Sequence, residues 1–142
     1  MSLVAVVTGA AGGMGSALVR EFQSRGYSVI GVDHKSGQAG TDQFFVGDIC
    51  DENLWKKIAA HVDEKYGHVD ALVNIAGRNY LANVDKADLD QWRNMFEVNV
   101  IGMIASIKYM KRLLDKASTP AIVNMSSIAA RIGSVEIGRA HV

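Results

Sequence analysis

The sequence contains one cysteine and one proline. A single thiol, Cys50, excludes an internal disulfide framework and a Cys-x-x-Cys metal pair, and no metal is expected. Cys50 reads as a small residue near a strand end in a reducing compartment. The scarcity of proline, set beside 49% hydrophobic residues, excludes a disordered chain and points to a packed globule. Neither charge sign prevails. Fifteen Lys and Arg face fifteen Asp and Glu, so no global field draws in nucleic acid or an anionic membrane. No apolar run is long enough to span a bilayer. The N-terminal apolar run is short, lacks a basic flank and leads into glycines, which is not the pattern of a signal peptide. No repeat, low-complexity tract or linker divides the chain. For 142 residues the expectation is a single cytoplasmic domain with a real core.

What the chain does have is a glycine cluster in a telling place. Thr8-Gly9-Ala10-Ala11-Gly12-Gly13-Met14-Gly15 follows the apolar run Leu3-Val4-Ala5-Val6-Val7. It precedes a helical pattern in which Met14, Leu18 and Phe22 recur every fourth residue. The stretch reads as strand, tight turn, helix. Glycines let the backbone turn sharply and approach a pyrophosphate, and the helix behind them aims free N–H groups and its positive dipole end at that anion. A tight turn without a ligand is the plainer alternative.

A second apolar run, Ser28-Val29-Ile30-Gly31-Val32, ends on Asp33, 18 residues after Gly15. That is close to the offset of about 20 expected for a carboxylate that accepts from an adenosine ribose 2′-OH. Such a carboxylate repels a 2′-phosphate and so favours NAD over NADP, although His34 and Lys35 beside it are basic. Residues 34–42 read as a loop. Gln43-Phe44-Phe45-Val46-Gly47 reads as a short strand with Asp48-Ile49 at its end. Leu54, Ile58, Val62 and Tyr66 mark one helix face, with Asp51 or Asn53 as N-cap and Gly67 as the stop. Ala71-Leu72-Val73-Asn74-Ile75 is a fourth strand, leading into Ala76-Gly77.

Residues 79–86 read as a loop. From Asp88 to about Lys116 one long helical pattern runs, with apolar residues wide enough around it to predict burial on more than one side. Asn99 and Gly102 sit in its middle, where an irregular turn is expected. Ala121-Ile122-Val123-Asn124-Met125 is a fifth strand, followed by Ser126-Ser127. Strands alternating with helices in this way imply βαβ units and an α/β, Rossmann-like, doubly wound parallel sheet of about five strands. The glycine turn, Asp33, Asp48, residues 74–77 and Ser126-Ser127 then all fall on the carboxyl edge, where such sheets bind ligands.

These motifs together resemble the short-chain dehydrogenase/reductase family over residues 3 to about 135. Thr8-Gly9-x-x-x-Gly13-x-Gly15 is similar to that family's cofactor turn, with Met14 inside it, and Asp33 to its NAD-selecting acid. Asp48-Ile49 resembles its adenine-contacting pair. Asn74-Ile75-Ala76-Gly77 resembles its Asn-Asn-Ala-Gly element, departing at Ile75. Asn99 matches its helix asparagine, and Ile122-Val123-Asn124-Met125-Ser126-Ser127 resembles the strand that carries its serine, aligned to Ser127. The resemblance implies NAD held by Gly9, Gly13, Met14, Gly15, Asp33, Asp48, Ile49, Asn74, Ala76 and Gly77. It also implies catalytic roles for Ser127, on the substrate oxygen, and Asn99, which holds a helix irregularity whose carbonyl binds a relay water. The family adds a tyrosine acid/base whose pKa, ordinarily about 10, is lowered by a lysine four residues on.

That tyrosine and lysine are missing. The family places the tyrosine near what is here Ala140, and the sequence ends at Val142. Four residues beyond Tyr27, Tyr66, Tyr80 and Tyr109 stand Gly31, Asp70, Val84 and Leu113. His141 lies in the tail without an orienting partner. Residues 136–142 do not lead into an expected helix and match the translation of a common sequencing adapter, so the expected organisation is a cofactor-binding domain over 1–135 and a non-native tail. A sheet without the family's later strands is expected to be incomplete, with the fifth strand an exposed edge and the long helix apolar on an uncovered side. The leading expectation is an NAD-dependent oxidoreductase of small alcohols or ketones, homo-oligomeric as a full-length parent and inactive as this chain. A non-catalytic dinucleotide-binding module, sensor or scaffold, is the alternative, and an interaction role without nucleotide the third. Residues 78–84 and 129–135 are expected to border the substrate pocket.

Overall fold

The computed structural model describes residues 2–37 and 40–128. Along the chain run β1 (Leu3–Thr8), α1 (Gly13–Ser24), β2 (Tyr27–Asp33), β3 (Gln43–Val46), α2 (Glu52–Lys65), β4 (Ala71–Asn74), α3 (Leu89–Phe96), α4 (Gly102–Leu114) and β5 (Ala121–Asn124). The strands form one parallel sheet in the order β3-β2-β1-β4-β5. The chain leaves β1 toward β2 on one side and returns to β4 on the other. The carboxyl ends of β1 and β4 therefore flank the switch point, where an open α/β sheet leaves a crevice.

The central strands β1, β2 and β4 are buried on both faces, as expected for a parallel sheet. Alternate residues of β1 divide between two cores. Val4 and Val6 join Ile30, Val32 and Leu72 under Trp55, Ile58 and Val62 of α2 and Met110, Leu113 and Leu114 of α4. Ala5 and Val7 join Val29, Ala71 and Val73 under Val19 of α1, with Leu18 and Phe22 packed beside them. Trp55 anchors the first core and satisfies its only polar atom, donating from Nε1 to the Ile49 carbonyl at 2.7 Å.

Helix boundaries follow local chemistry. Asp51 caps α2 by accepting from the Asn53 amide at 2.8 Å, and Asp88 caps α3 by accepting from the Asp90 amide, also at 2.8 Å. Gly67, at φ 79°, ends the α2 turn in the left-handed region. The irregular turn expected near Asn99 is a π segment, Glu97–Ile101, joining α3 to α4.

One expectation is corrected. Within the long helical stretch the buried residues all lie on one side of α4. No residue of α3 is buried, and Phe96, Val100, Ile101 and Ile104 are exposed, because among the described residues no element packs outside them. Met14, in line with the half-buried Leu18 and Phe22, is 60% exposed at the open end of α1. At the sheet edge, every residue of β5 is exposed. The expected boundary after residue 135, the tail 136–142 and residues 129–135 lie outside the described residues.

Candidate functional site

A cleft of about 610 Å³ opens along the carboxyl ends of β1, β2, β3 and β4. Its floor is the glycine turn, and glycine is required there for packing reasons as well as conformational ones. Gly9 sits at φ +68°, and a Cβ on it would lie 2.9 Å from the Ala76 amide nitrogen. A Cβ on Gly15 would lie 2.0 Å from the Gly9 carbonyl oxygen. Gly15 lets α1 start directly against the end of β1, and Gly9 lets the turn close onto the chain after β4. Gly13 differs: a Cβ there would meet nothing within 4 Å. The space above it is open to the cleft.

The start of α1 differs electrostatically from the starts of α2 and α3. Asp51 and Asp88 place a carboxylate on the first turns of α2 and α3. The N-cap of α1, Gly12, has no side-chain cap, and its first turn holds no acid. The amides there and the positive end of the helix dipole thus face the cleft uncompensated, an arrangement that favours negative charge.

Asp33 stands at one end of the cleft, 6% exposed. Its Oδ2 accepts from the Ala11 amide at 3.0 Å and its Oδ1 from the Lys35 amide at 3.0 Å. The His34 ring lies 3.1 Å from Oδ1. These contacts fix the carboxylate and leave lone pairs for ligand hydroxyls. Asp48 and Ile49 line the cleft beyond β3, with Asp48 Oδ1 accepting from the Cys50 amide at 2.9 Å.

At the far side, Thr8 joins β1 to the chain after β4, its Oγ1 accepting from the Ile75 and Ala76 amides at 3.1 and 3.2 Å. Ala76 and Gly77 form the wall. Asn99 in the π segment holds the next peptide from both sides. Its Oδ1 accepts from the Arg78 amide at 2.7 Å and its Nδ2 donates to the Arg78 carbonyl at 2.8 Å. A π segment inserts an extra residue per turn, and here it brings this asparagine amide onto the loop.

The structure thus gathers Gly9, Gly13, Met14, Gly15, Asp33, Asp48, Ile49, Ala76 and Gly77 around one cleft. Three other sequence-predicted residues are not on its wall. Asn74 is buried behind it, donating through Nδ2 to Asn124 Oδ1 at 2.8 Å, with the Ser106 hydroxyl 2.8 Å from its Oδ1. Asn99 acts on the wall through Arg78. Ser127 follows β5 and is exposed. Asn94 and Val98 line the cleft and were not singled out by sequence reasoning. Their one-turn spacing just before Asn99 is the signal that would have found them. Cys50 lies just beyond the cleft; burial first, then Asp48 and the Glu97 charge, push its thiol up to about 11. Among the described residues no three His, Cys, Asp or Glu side chains gather as a metal site, and no helix is long and apolar enough to cross a membrane.

Comparison with known proteins decides the family. The family model for short chain dehydrogenase matches residues 3–138. The chain belongs to the short-chain dehydrogenase family. Within it, the chain is 31% identical to the NADP-dependent (R)-specific alcohol dehydrogenase of Lentilactobacillus kefiri, over 95% of this chain and 58% of that protein. It is 30% identical to D-threitol dehydrogenase of Mycolicibacterium smegmatis, over 91% of this chain and 54% of that protein. Among solved structures, the ligand-free aldohexose dehydrogenase of Thermoplasma acidophilum superposes with a TM-score of 0.89 at 28% identity, covering 96% of this chain and 53% of that one. An actinorhodin polyketide ketoreductase with NADPH superposes at 0.84 and 27% identity, covering 95% of this chain and 57% of that one. The chain spans about half the length of the curated relatives it matches.

Proposed function

We propose that this chain is the cofactor-binding part of an NAD-dependent oxidoreductase that acts on a small alcohol or carbonyl compound. One observation carries the reading: the uncapped, acid-free start of α1 lies beneath open space at Gly13, on the same edge as the fixed carboxylate of Asp33. The amides of Gly13, Met14 and Gly15 suit a pyrophosphate. Asp33 suits the ribose hydroxyls beside it, and Asp48 with Ile49 bounds the adenine end. Gly9, Ala76 and Gly77 shape the wall, and Asn74 braces β4 behind it. Bound NAD would supply the hydride-accepting ring. On the chain's side, Ser127 orients a substrate oxygen, and Asn99 holds the π segment against the loop after β4.

The preference for NAD rests on Asp33, since a 2′-phosphate brought against its carboxylate is repelled. Two similar proteins carry NADP or NADPH in their names, so cofactor choice is the part to test. Titration followed by NADH and NADPH fluorescence is expected to show NADH tighter by about tenfold or more. Asp33→Ser is expected to narrow the gap. Tighter or equal NADPH binding overturns the preference; no binding of either cofactor at millimolar concentration overturns the cleft assignment.

A second reading, a dinucleotide-binding module without catalysis, is favoured by one observation. Among the described residues, no tyrosine walls the cleft. Tyr80, the tyrosine nearest in sequence to Arg78, is committed to structure: its hydroxyl accepts from the Asp88 amide at 3.0 Å. This reading predicts cofactor binding with no change at 340 nm in the presence of alcohols or ketones; steady turnover by the chain contradicts it. The exposed apolar stripe of α3 and α4 supports self-association of the protein, and the unpaired Cys50 accords with a cytoplasmic location.

A further inference from the structure

Arg78 lines the cleft on the opposite side of β1 from Asp33, since it follows β4 while Asp33 ends β2. Its guanidinium is held from two directions by neutral oxygens. Nη1 donates to Asn94 Oδ1 at 3.1 Å and Nη2 to Gln91 Oε1 at 2.6 Å. Its backbone is held as well, by both ends of the Asn99 amide. Fixing an arginine this way costs side-chain entropy, yet among the described residues the fixed charge has no counter-ion. Among the described residues, no carboxylate pairs with Arg78. The one acid within α3 serves elsewhere: Asp90 pairs with Arg93 at 2.5 Å. The two amide oxygens use one hydrogen from each terminal nitrogen. The Nε–H and one hydrogen on each terminal nitrogen remain, charged donors of the kind that suit a carboxylate or a phosphate.

We propose that Arg78 is an anion anchor, taking the phosphate or carboxylate group of a ligand that enters this side of the cleft. The inference rests on the dinucleotide reading only for which molecule carries that group. With Asp33 and Asp48 at the adenosine end and the α1 amides in the middle, Arg78 lies toward the end left for the reacting half of the cofactor and its substrate. The anion is then either a cofactor phosphate or the acid group of a hydroxy or oxo substrate.

Calorimetric titration of the full chain separates the sources. NADH is titrated first, then malonate and inorganic phosphate onto the NADH-saturated chain, for the wild type, Arg78→Gln and Arg78→Lys. A cofactor phosphate on Arg78 weakens NADH binding by about tenfold in Arg78→Gln, the worth of one charge-assisted bond, and leaves no site for malonate or phosphate. A substrate acid on Arg78 leaves NADH unchanged, while malonate or phosphate binds the loaded wild type and not Arg78→Gln. Arg78→Lys restores part of the loss in either case. If Arg78→Gln changes none of these affinities, the proposal is overturned. If the wild type binds no NADH, the dinucleotide reading fails separately, and malonate and phosphate added alone still test Arg78. Should Arg78→Gln lose its cooperative melt, the wild type carries the test by NMR. The Arg78 Nε–H resonance must shift on addition of NADH, malonate or phosphate, and a resonance unmoved by all three overturns the proposal.

Discussion

Individual residues in this chain do opposite things with the same chemistry. Gly9 and Gly15 are glycine because neighbouring backbone fills the space a side chain would need; Gly13 is glycine beside empty space. The sequence spacing marks all three alike. Only the three-dimensional neighbourhood separates the two that build the turn from the one that leaves room above it. Asp33 was legible from its offset and from the strand before it. Asp70 was not, since an acid before a strand is unremarkable in sequence. It is nevertheless buried, accepting from the Val4 amide at 2.7 Å with the His68 ring 3.2 Å away. Cys50 gives a test at this scale. Burial, with Asp48 and Glu97 adding to it, raises its thiol to about 11, so little reactive thiolate exists near neutrality. Alkylation by iodoacetamide at pH 8.5 is expected to be more than about tenfold slower in the folded chain than in urea. Equal rates would show that the thiol is not held in this environment.

At the scale of elements, periodicity and caps made most of the fold readable. The i, i+4 spacing of Leu54, Ile58 and Val62, with Asp51 before them, placed α2 within a residue or two. The long pattern after Asp88 was harder. Its apolar residues drift around the axis because a π segment shifts the phase at Asn99, and that drift imitates a helix buried on two sides. The Arg78 clamp was invisible for a related reason: Gln91, Asn94 and Asn99 meet one residue only once that phase shift is in place. Electrostatic ties between α2 and α4 offer a test here. Hydrogen bonds from Lys116 and Arg112 hold the Asp63 carboxyl below its ordinary range, and Lys108 does the same for Glu52. A carboxylate lowered on folding adds stability above the unfolded carboxylate range, and that stability is lost as pH falls through the lowered value. Thermal melts from pH 6 to pH 3 are expected to drop less steeply for Asp63→Asn than for the wild type. Identical pH slopes would mean that these exposed pairs contribute nothing, as many surface pairs do.

For the whole molecule, the distribution of apolar surface matters most. Trp55, Met110 and the strands of the sheet form a complete interior on one face. Phe96, Ile101 and Ile104 on the helices and Ile122 and Val123 on β5 remain exposed. An open strand edge and an apolar helix side are both invitations to association. The chain on its own is therefore expected to elute as an oligomer or aggregate at micromolar concentration, with Ile104→Glu shifting it toward the monomer. A monodisperse monomeric wild type with a cooperative melt would contradict this.

The central claim is that the cleft between β1, β2 and β4 holds a dinucleotide. Amide hydrogen exchange with and without NADH tests it most directly, because it reports binding and place together. Exchange is expected to slow in peptides covering the glycine turn, Asp33 to Lys35, Asp48 with Ile49, and Ile75 to Arg78. The outer face of α2 is expected to stay unchanged. No protection at saturating NADH, or protection confined to segments away from the glycine turn, would contradict the claim.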